Sequence, residues 1–368
     1  MQENQLQKQY PRLVVDLKKL RHNIDEIVDR CAGCGIAATG VVKGFNGLPE
    51  ILSVYKDCGT LGIASSRLEH LEQAGKLGLK GPFLSIRIPM LSEIPDLVRI
   101  ADWSLESERI VLEAIEDECR RQKRRHGAIL MVDLGDLREG FWNKEELLAL
   151  AEETERKFEW IDLIGIGTNL NCYGSIAPTA ENLQQLVDLA RQVEIRIGRK
   201  LQIVSGGSTT SLPLVYKGEM PRGINHLRIG EAMQTAADLE AFWGVSTPEL
   251  HKDVFTLQAE IVELKDKPSY PVGEIRVDGF GKTESKYVDR GIRRRAIAAV
   301  GRLDFSFCSQ LLPVNSGIEV LGASSDHLIL DVEEAKNEIK MGSIVEFRMY
   351  YGPMLYLTNS GYISLVYK

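Results

Sequence analysis

No apolar run in this sequence approaches the ~20 residues that a bilayer-spanning helix needs, and the opening MQENQLQKQYPR lacks the apolar core of a secretory signal. Both absences predict a cytoplasmic protein with no membrane partner. Cysteine is sparse as well: Cys31, Cys34, Cys58, Cys119, Cys172 and Cys308 are spread over 368 positions, which suits reduced thiols better than a disulfide framework. Cys31 and Cys34 form a lone C-x-x-C, and without a second pair a zinc site there would be short of ligands. The pair reads as helix-end thiols, and no metal site is expected. Basic charge is also short, with 45 Lys and Arg against 52 Asp and Glu, a formal net charge of −7. That is the wrong sign for a protein whose main partner is a nucleic-acid backbone. The basic clusters RRQKRRH (120–126) and RRR (293–295) therefore read as solvated helix and strand faces, and a small molecule is the expected partner.

What the chain does have is enough apolar residue, 44% of its positions, to bury two cores. Leu17, Leu20, Ile24, Ile27 and Val28 recur at helical spacing behind Asp16, a plausible cap, so a helix is expected before the first strand. Then short apolar runs alternate with helical stretches. The strand candidates are IAATGVV (36–42), LGIA (61–64), FLSI (83–86), ADWSL (101–105), AILMVD (128–133), IDLIGIG (161–167), LQIVS (201–205) and HLRIG (226–230). Between them lie runs such as SERIVLEAIEDECRRQKRR and AENLQQLVDLARQVEIRI. Eight (βα) units with near-continuous apolar strands predict a TIM-type (β/α)8 barrel, its parallel sheet buried on both faces. Beyond about Ala241 the texture changes to VFTLQAEIVEL, RRAIAAVGRLDF, GIEVLGA, HLILDV, SIVEFRMYY and YISLVYK, the pattern of a mostly antiparallel β domain. The expected division is therefore a barrel over 11–240 and a β domain over 241–368, with residues 1–10 packing with the latter.

Chemistry in such a barrel gathers where the strands end, because the loops there converge over the open face. Lys43 closes the first strand, Asp133 and Arg138 follow the fifth, Thr168 and Asn169 the sixth, SGGSTT (205–210) the seventh, and Arg228, Gly230 and Glu231 the eighth. Taken alone, Lys43 reads better as a surface lysine, and SGGSTT reads equally well as a turn with no ligand. Together they carry more. A lysine desolvated at a strand end is a nucleophile toward an aldehyde, a glycine-rich turn with hydroxyls is an anion cradle, and barrel closure makes the two neighbours. Pyridoxal phosphate bears both an aldehyde and a phosphate.

These residues also match a known family. TGVVKGFNG resembles the lysine segment of fold-type III pyridoxal-phosphate enzymes, and MVDLGDLREGF, LIGIGTNLNCYG, SGGSTTSLPL, LRIGEA and LGASSDHLILDV follow in the order of alanine racemase relatives. The likeness is to the alanine/ornithine racemase branch and covers nearly the whole chain. The resemblance implies that Lys43 carries pyridoxal 5'-phosphate covalently and that Arg138 hydrogen-bonds near the cofactor's phenolic oxygen. It implies that Ser208, Thr209, Gly230 and the Glu231 backbone hold the phosphate, with Tyr362 reaching it from the C-terminal domain. Arg228 matches the arginine at the pyridine nitrogen, where a guanidinium that keeps its proton limits the ring as an electron sink. Asn169 stands where the family has a histidine packed against the ring.

Racemisation needs one acid/base group on each face of Cα. The resemblance assigns one face to Lys43 and the other to a tyrosine of the partner subunit's β domain, in a homodimer with shared sites. By the same resemblance VDGFGKTES stands in the place of that tyrosine with Phe280, which has no proton to give, leaving Cys172, Asp278, Tyr287, Asp326 and His327 as substitutes. SSDH (324–327) is similar to the family segment lining the substrate entrance. The expected activity is racemisation of an amino acid of the ornithine/lysine or alanine/serine type, with Asp278, Glu284 or Asp326 to receive a distal ammonium. Two other readings share the scaffold. A non-catalytic pyridoxal-phosphate homeostasis protein would stop at the barrel, and a metal-dependent lyase or decarboxylase would carry a His-x-Cys pair near the C-terminus that this sequence lacks.

Overall fold

The computed structural model describes residues 9–277, 279–281 and 287–368. Its strands, in chain order, are β1 (Arg12–Val15), β2 (Ala37–Val41), β3 (Ile63–Ser65), β4 (Phe83–Ser85), β5 (Trp103–Glu106), β6 (His126–Val132), β7 (Ile161–Thr168), β8 (Ile203–Ser205) and β9 (His226–Ile229). They are followed by β10 (Phe255–Pro268), β11 (Ile292–Ala298), β12 (Leu311–Pro313), β13 (Glu319–Ala323), β14 (Leu328–Asp331), β15 (Ile344–Met349) and β16 (Ser364–Tyr367). Strands β2 to β9 form a closed parallel barrel, sealed where Ala37 to Gly40 of β2 pair with His226 to Ile229 of β9. These are the eight expected strands. The barrel is filled by residues such as Val41, Leu84, Leu105, Ile129, Met131 and Ile203, every one buried. Each such side chain contributes about 1.5–3 kcal/mol by leaving water.

The helices that wrap it form for local reasons. In Ala180–Ile197, Leu183, Leu186, Val187, Ala190 and Val193 recur at three and four residues and bury one face. Thr179 and Asn182 cap its start reciprocally, and Gly198 ends it in the left-handed region. The helix expected over 107–125 is shorter, Arg109–Gln122, because Lys123 turns left-handed to bring the chain into β6.

The chain divides into two compact units, residues 19–251 and residues 1–18 with 252–368. The first helix is not the first element, as the apolar periodicity suggested. Strand β1 precedes it and belongs to the β unit, pairing antiparallel with β10 (Arg12 opposite Gln258, Val15 opposite Phe255) and parallel with β16. Leu13 and Val15 are fully buried there. A four-residue run has too little periodicity to announce itself beside a long amphipathic helix. In the β unit the order β12-β15-β10-β11-β14-β13 is antiparallel throughout. The run RRAIAAVGRLDF is strand only as far as Ala298 and then turns into a short helix, Arg302–Phe305. The cause is close backbone packing at Gly301, where an added Cβ would lie 2.0 Å from the Ser325 carbonyl oxygen, while Arg302 N–H donates to the Ser324 carbonyl at 2.9 Å.

Candidate active site

Strand β2 stops at Val41, and the chain makes one tight helical turn, Lys43–Phe45, closed by Asn46 in the left-handed region. Val42 and Phe45 are fully buried and fix this turn, which leaves Lys43 half-buried at the strand end. Burial pushes its ammonium below the usual lysine range. Arg138 and Arg228 push the same way, and Cys172 and Glu139 oppose them. These five side chains come from the ends of four strands, β2, β6, β7 and β9.

Arg228 is 3% exposed. Its guanidinium donates to Ser205 Oγ and, at 2.8 Å, to the Thr168 carbonyl, and burial pulls it down to about 10. Behind it runs a buried relay that sequence reasoning missed. Ser205 Oγ meets His226 Nδ1 at 2.8 Å, and His226 Nε2 meets Thr39 Oγ1 at 2.8 Å. Burial, with Arg228 adding to it, pushes the imidazole down to about 3, so the ring is neutral at pH 7 and orients the arginine without repelling it.

Arg138 lies in the loop after β6 and forks onto Glu139, one of the two bonds measuring 2.5 Å. Burial works against its charge, and the Glu139 hydrogen bonds overcome it to raise the guanidinium above its usual range. Two residues earlier, buried Asp136 organises the neighbouring loop. Its carboxylate accepts from the backbone N–H of Asn171, Cys172, Tyr173 and Gly174 at 3.0–3.2 Å. That cradle holds Asn171 and Ser175 in the left-handed region, which costs each about 1 kcal/mol or more. Asn169 Nδ2 then donates to Cys172 Sγ at 2.9 Å. Neither Asp136 nor Glu139 stood out in the sequence, since an acidic residue in a loop is common and its backbone partners lie 35 to 38 positions away.

The loops after β8 and β9 meet beside β2. Gly207 adopts φ +109°, a conformation glycine takes freely, and its carbonyl accepts from Arg228 N–H at 2.9 Å. Ser208 Oγ and Thr210 Oγ1 lie 3.3 Å apart, and Thr209 Oγ1 accepts from Ala232 N–H at 3.3 Å. Gly230 packs so tightly on β2 that a Cβ there would lie 3.3 Å from Val41 Cβ. Gln234 Nε2 donates to the Val41 carbonyl at 2.7 Å. Glu231 turns its side chain inward, where Thr235 Oγ1 donates to it at 2.8 Å and burial, with Asp238 nearby, pushes the carboxyl up to about 8. Its Oε2 is buried without a hydrogen-bond partner among the described residues. Three cationic groups, Lys43, Arg138 and Arg228, thus face one carboxylate, Glu139, beside a glycine-tightened loop of hydroxyls. This donor set fits an anionic ligand with a phosphate at one end and a carbonyl for the amine at the other.

The remaining predicted site residues belong to the β unit. Asp326 and His327 are exposed on the β13–β14 turn, where Ser325 Oγ donates to Asp326 Oδ2 at 2.7 Å and Ser324 N–H to the His327 carbonyl at 2.9 Å. Tyr287 and Tyr362 are each 45% exposed. Phe280 lies under the Arg302 guanidinium, 4.1 Å from ring centre to Cζ. Asp278 and Glu284 lie outside the described residues.

A closed parallel barrel followed by a β unit is also the fold of alanine racemase from a D-cycloserine-producing Streptomyces lavendulae, which superposes with a TM-score of 0.72 at 15% identity over 98% of each chain. Residues 15–237 match the family described as alanine racemase, N-terminal domain. The chain belongs to that family. It is 42% identical to ornithine racemase of Acetoanaerobium sticklandii over 96% of this chain and 99% of that one. It is 37% identical to lysine racemase of Thermotoga maritima over 98% and 99%. With such relatives along nearly its whole length, the protein is an amino-acid racemase.

Proposed function

We propose that this racemase interconverts the L and D forms of ornithine or lysine, with pyridoxal phosphate carried on Lys43, as a cytoplasmic homodimer. The observation that supports it most is Lys43, desolvated at a strand end beside Arg138, Arg228 and Cys172. Ser208, Thr209, Gly230 and the Glu231 backbone would hold the phosphate. Arg228, fixed by Ser205 and Thr168, would meet the ring nitrogen, Arg138 the phenolic oxygen side, and Asn169 the ring. Tyr362 would add to the phosphate from the β unit. Bound there, the cofactor supplies an electron sink that acidifies the substrate Cα–H.

Lys43 Nζ would take that proton from one face of Cα or return it. On the opposite face we assign the proton to Cys172 Sγ, because it is the candidate in the same unit as Lys43 and in electrostatic reach of it. Asn169 orients the sulfur. Asp326 and His327, on an exposed turn, stand nearer a substrate-recognition role, with Asp326 as acceptor for a distal ammonium. That ornithine and lysine are the substrates rests on the two relatives.

Borohydride reduction of the purified protein followed by peptide mapping should place the cofactor label on Lys43, and Lys43→Ala should lose both the label and the visible absorption band. Polarimetry with L-ornithine, L-lysine, L-alanine and L-serine, together with deuterium entry at Cα, should then favour the first two. A label elsewhere would sink the cofactor assignment. Faster turnover of alanine would sink the substrate.

A further inference from the structure

The turn that carries Lys43 is weakly held by its own backbone. Its hydrogen bonds are long, from Asn46 N–H to the Lys43 carbonyl at 3.2 Å, from Leu48 N–H to the Phe45 carbonyl at 3.2 Å and from Gly47 N–H to the Val42 carbonyl at 3.3 Å. Asn46 and Gly47 both lie in the left-handed region, at φ +54° and +59°, which is disfavoured for any residue with a Cβ. His70, on the helix Leu68–Lys76, supplies what the turn lacks. Its half-buried ring packs so closely on Gly47 that a Cβ there would lie 2.7 Å from its Cγ and Cδ2. Its Nε2 is 3.1 Å from Asn46 Oδ1, and its Nδ1 is 2.9 Å from Ser65 Oγ at the end of β3. These partners fix the tautomer. Asn46 Oδ1 can only accept, so Nε2 carries the proton. Ser65 Oγ accepts from Arg67 N–H at 3.2 Å, which leaves its hydroxyl proton for the lone pair of Nδ1. Burial, with Arg67 adding to it and Glu69 opposing, pushes the imidazole below its ordinary range, in keeping with a neutral ring.

We propose that His70 is a positioning residue for Lys43: the bond from its Nε2 to Asn46 Oδ1 locks the turn that sets where the Lys43 amine stands. This role presupposes that Lys43 is the cofactor-bearing amine of the function proposed above. Burial of Val42 and Phe45 anchors the turn but is non-directional. The His70 bond has a direction, and it ties Asn46, three residues beyond the amine, to a separate helix and through Ser65 to a separate strand. Loss of the donor should therefore loosen the turn without unseating it. The amine then loses its fixed place and part of its desolvation, while the loop after β9, braced by Gln234 on Val41, stays.

His70→Gln and His70→Asn separate the donor from the ring, because a glutamine amide can place an N–H where Nε2 stands and an asparagine amide only where Nδ1 stands. Cofactor-free full-length protein is mixed with pyridoxal phosphate across a pH series, and the visible band is followed. In His70→Asn the capture midpoint should move up toward the 10.5 of a solvated lysine. Its kcat for racemisation should fall about three- to tenfold, the worth of one hydrogen bond, with KM little changed. His70→Gln should restore both. In an Asn46→Gly background, which keeps the left-handed conformation without the acceptor, His70→Asn should add little further loss. Circular dichroism checks that each variant folds. A wild-type midpoint and kcat in His70→Asn, an equal loss in His70→Gln, or full additivity with Asn46→Gly would overturn the role. Borohydride labelling keeps the two levels apart: unaffected His70 variants with the label still on Lys43 refute His70 alone, and a label elsewhere refutes the Lys43 reading and this role with it.

Discussion

On the proposed reading a single amine, Lys43, governs the chemistry, and its environment can be titrated. Lys43 attacks an aldehyde only as the neutral amine. Burial lowers its pKa below the ordinary 10.5, and Arg138 lowers it further while Cys172 opposes. The sign follows directly: the reactive form prevails above the lowered pKa and is lost as pH falls through it. Capture of pyridoxal phosphate by the cofactor-free protein, followed by absorbance, should therefore rise with pH to a midpoint below 10.5. Arg138→Leu should move that midpoint up and Cys172→Ala move it down. A midpoint at or above 10.5 in the wild type would mean that the side chain is solvated. Arg228 is buried too, but it is fixed in place by donating to Ser205 Oγ and the Thr168 carbonyl, with the neutral His226 behind Ser205.

At the scale of elements, the site depends on loops that are held by side chains outside them. The segment 171–176 has no secondary structure of its own and takes its shape from one carboxylate, Asp136, through four backbone bonds of 3.0–3.2 Å. Removing an acceptor of that kind costs about 1.5–3 kcal/mol for a single charged hydrogen bond. Asp136→Ala should speed amide hydrogen exchange across 171–176 and lower kcat about tenfold or more, in proportion to that energy, because Cys172 and Asn169 lose their positions. Asp136→Asn, with one acceptor oxygen left, should lose less. Unchanged exchange in the alanine variant would show that the loop holds its own shape. The loops after β8 and β9 are braced differently, by Gly230 and Gln234 against Val41, so amide exchange should not change there.

The whole molecule is two compact units threaded by a chain that begins in one and crosses to the other before returning. Strand β1 lies between β10 and β16, and its removal exposes two strand edges at once. Deleting residues 1–15 should therefore destabilise the β unit while the barrel keeps its helical signal. Limited proteolysis should cut within 252–368 first, and light scattering should report aggregation. A truncated protein with native protease resistance would refute the role given to β1.

The barrel was legible because its signal is local. Eight apolar runs of strand length, alternating with helical spacing, leave little choice of architecture, and a lysine and a glycine-hydroxyl turn at strand ends are visible in the chain itself. The alternative readings, a homeostasis protein or a lyase, gave way once nearly full-length relatives proved to be racemases. What the sequence left open depends on contacts between distant residues. Asp136 and Glu139 look like ordinary loop acids, Thr39 and His226 like ordinary strand residues 187 positions apart, and Arg12–Val15 like a preamble to the first helix. Periodicity records which face of an element is buried. The partner that each polar group meets there is set only when the chain closes, because a buried donor or acceptor must find its match wherever the fold places one.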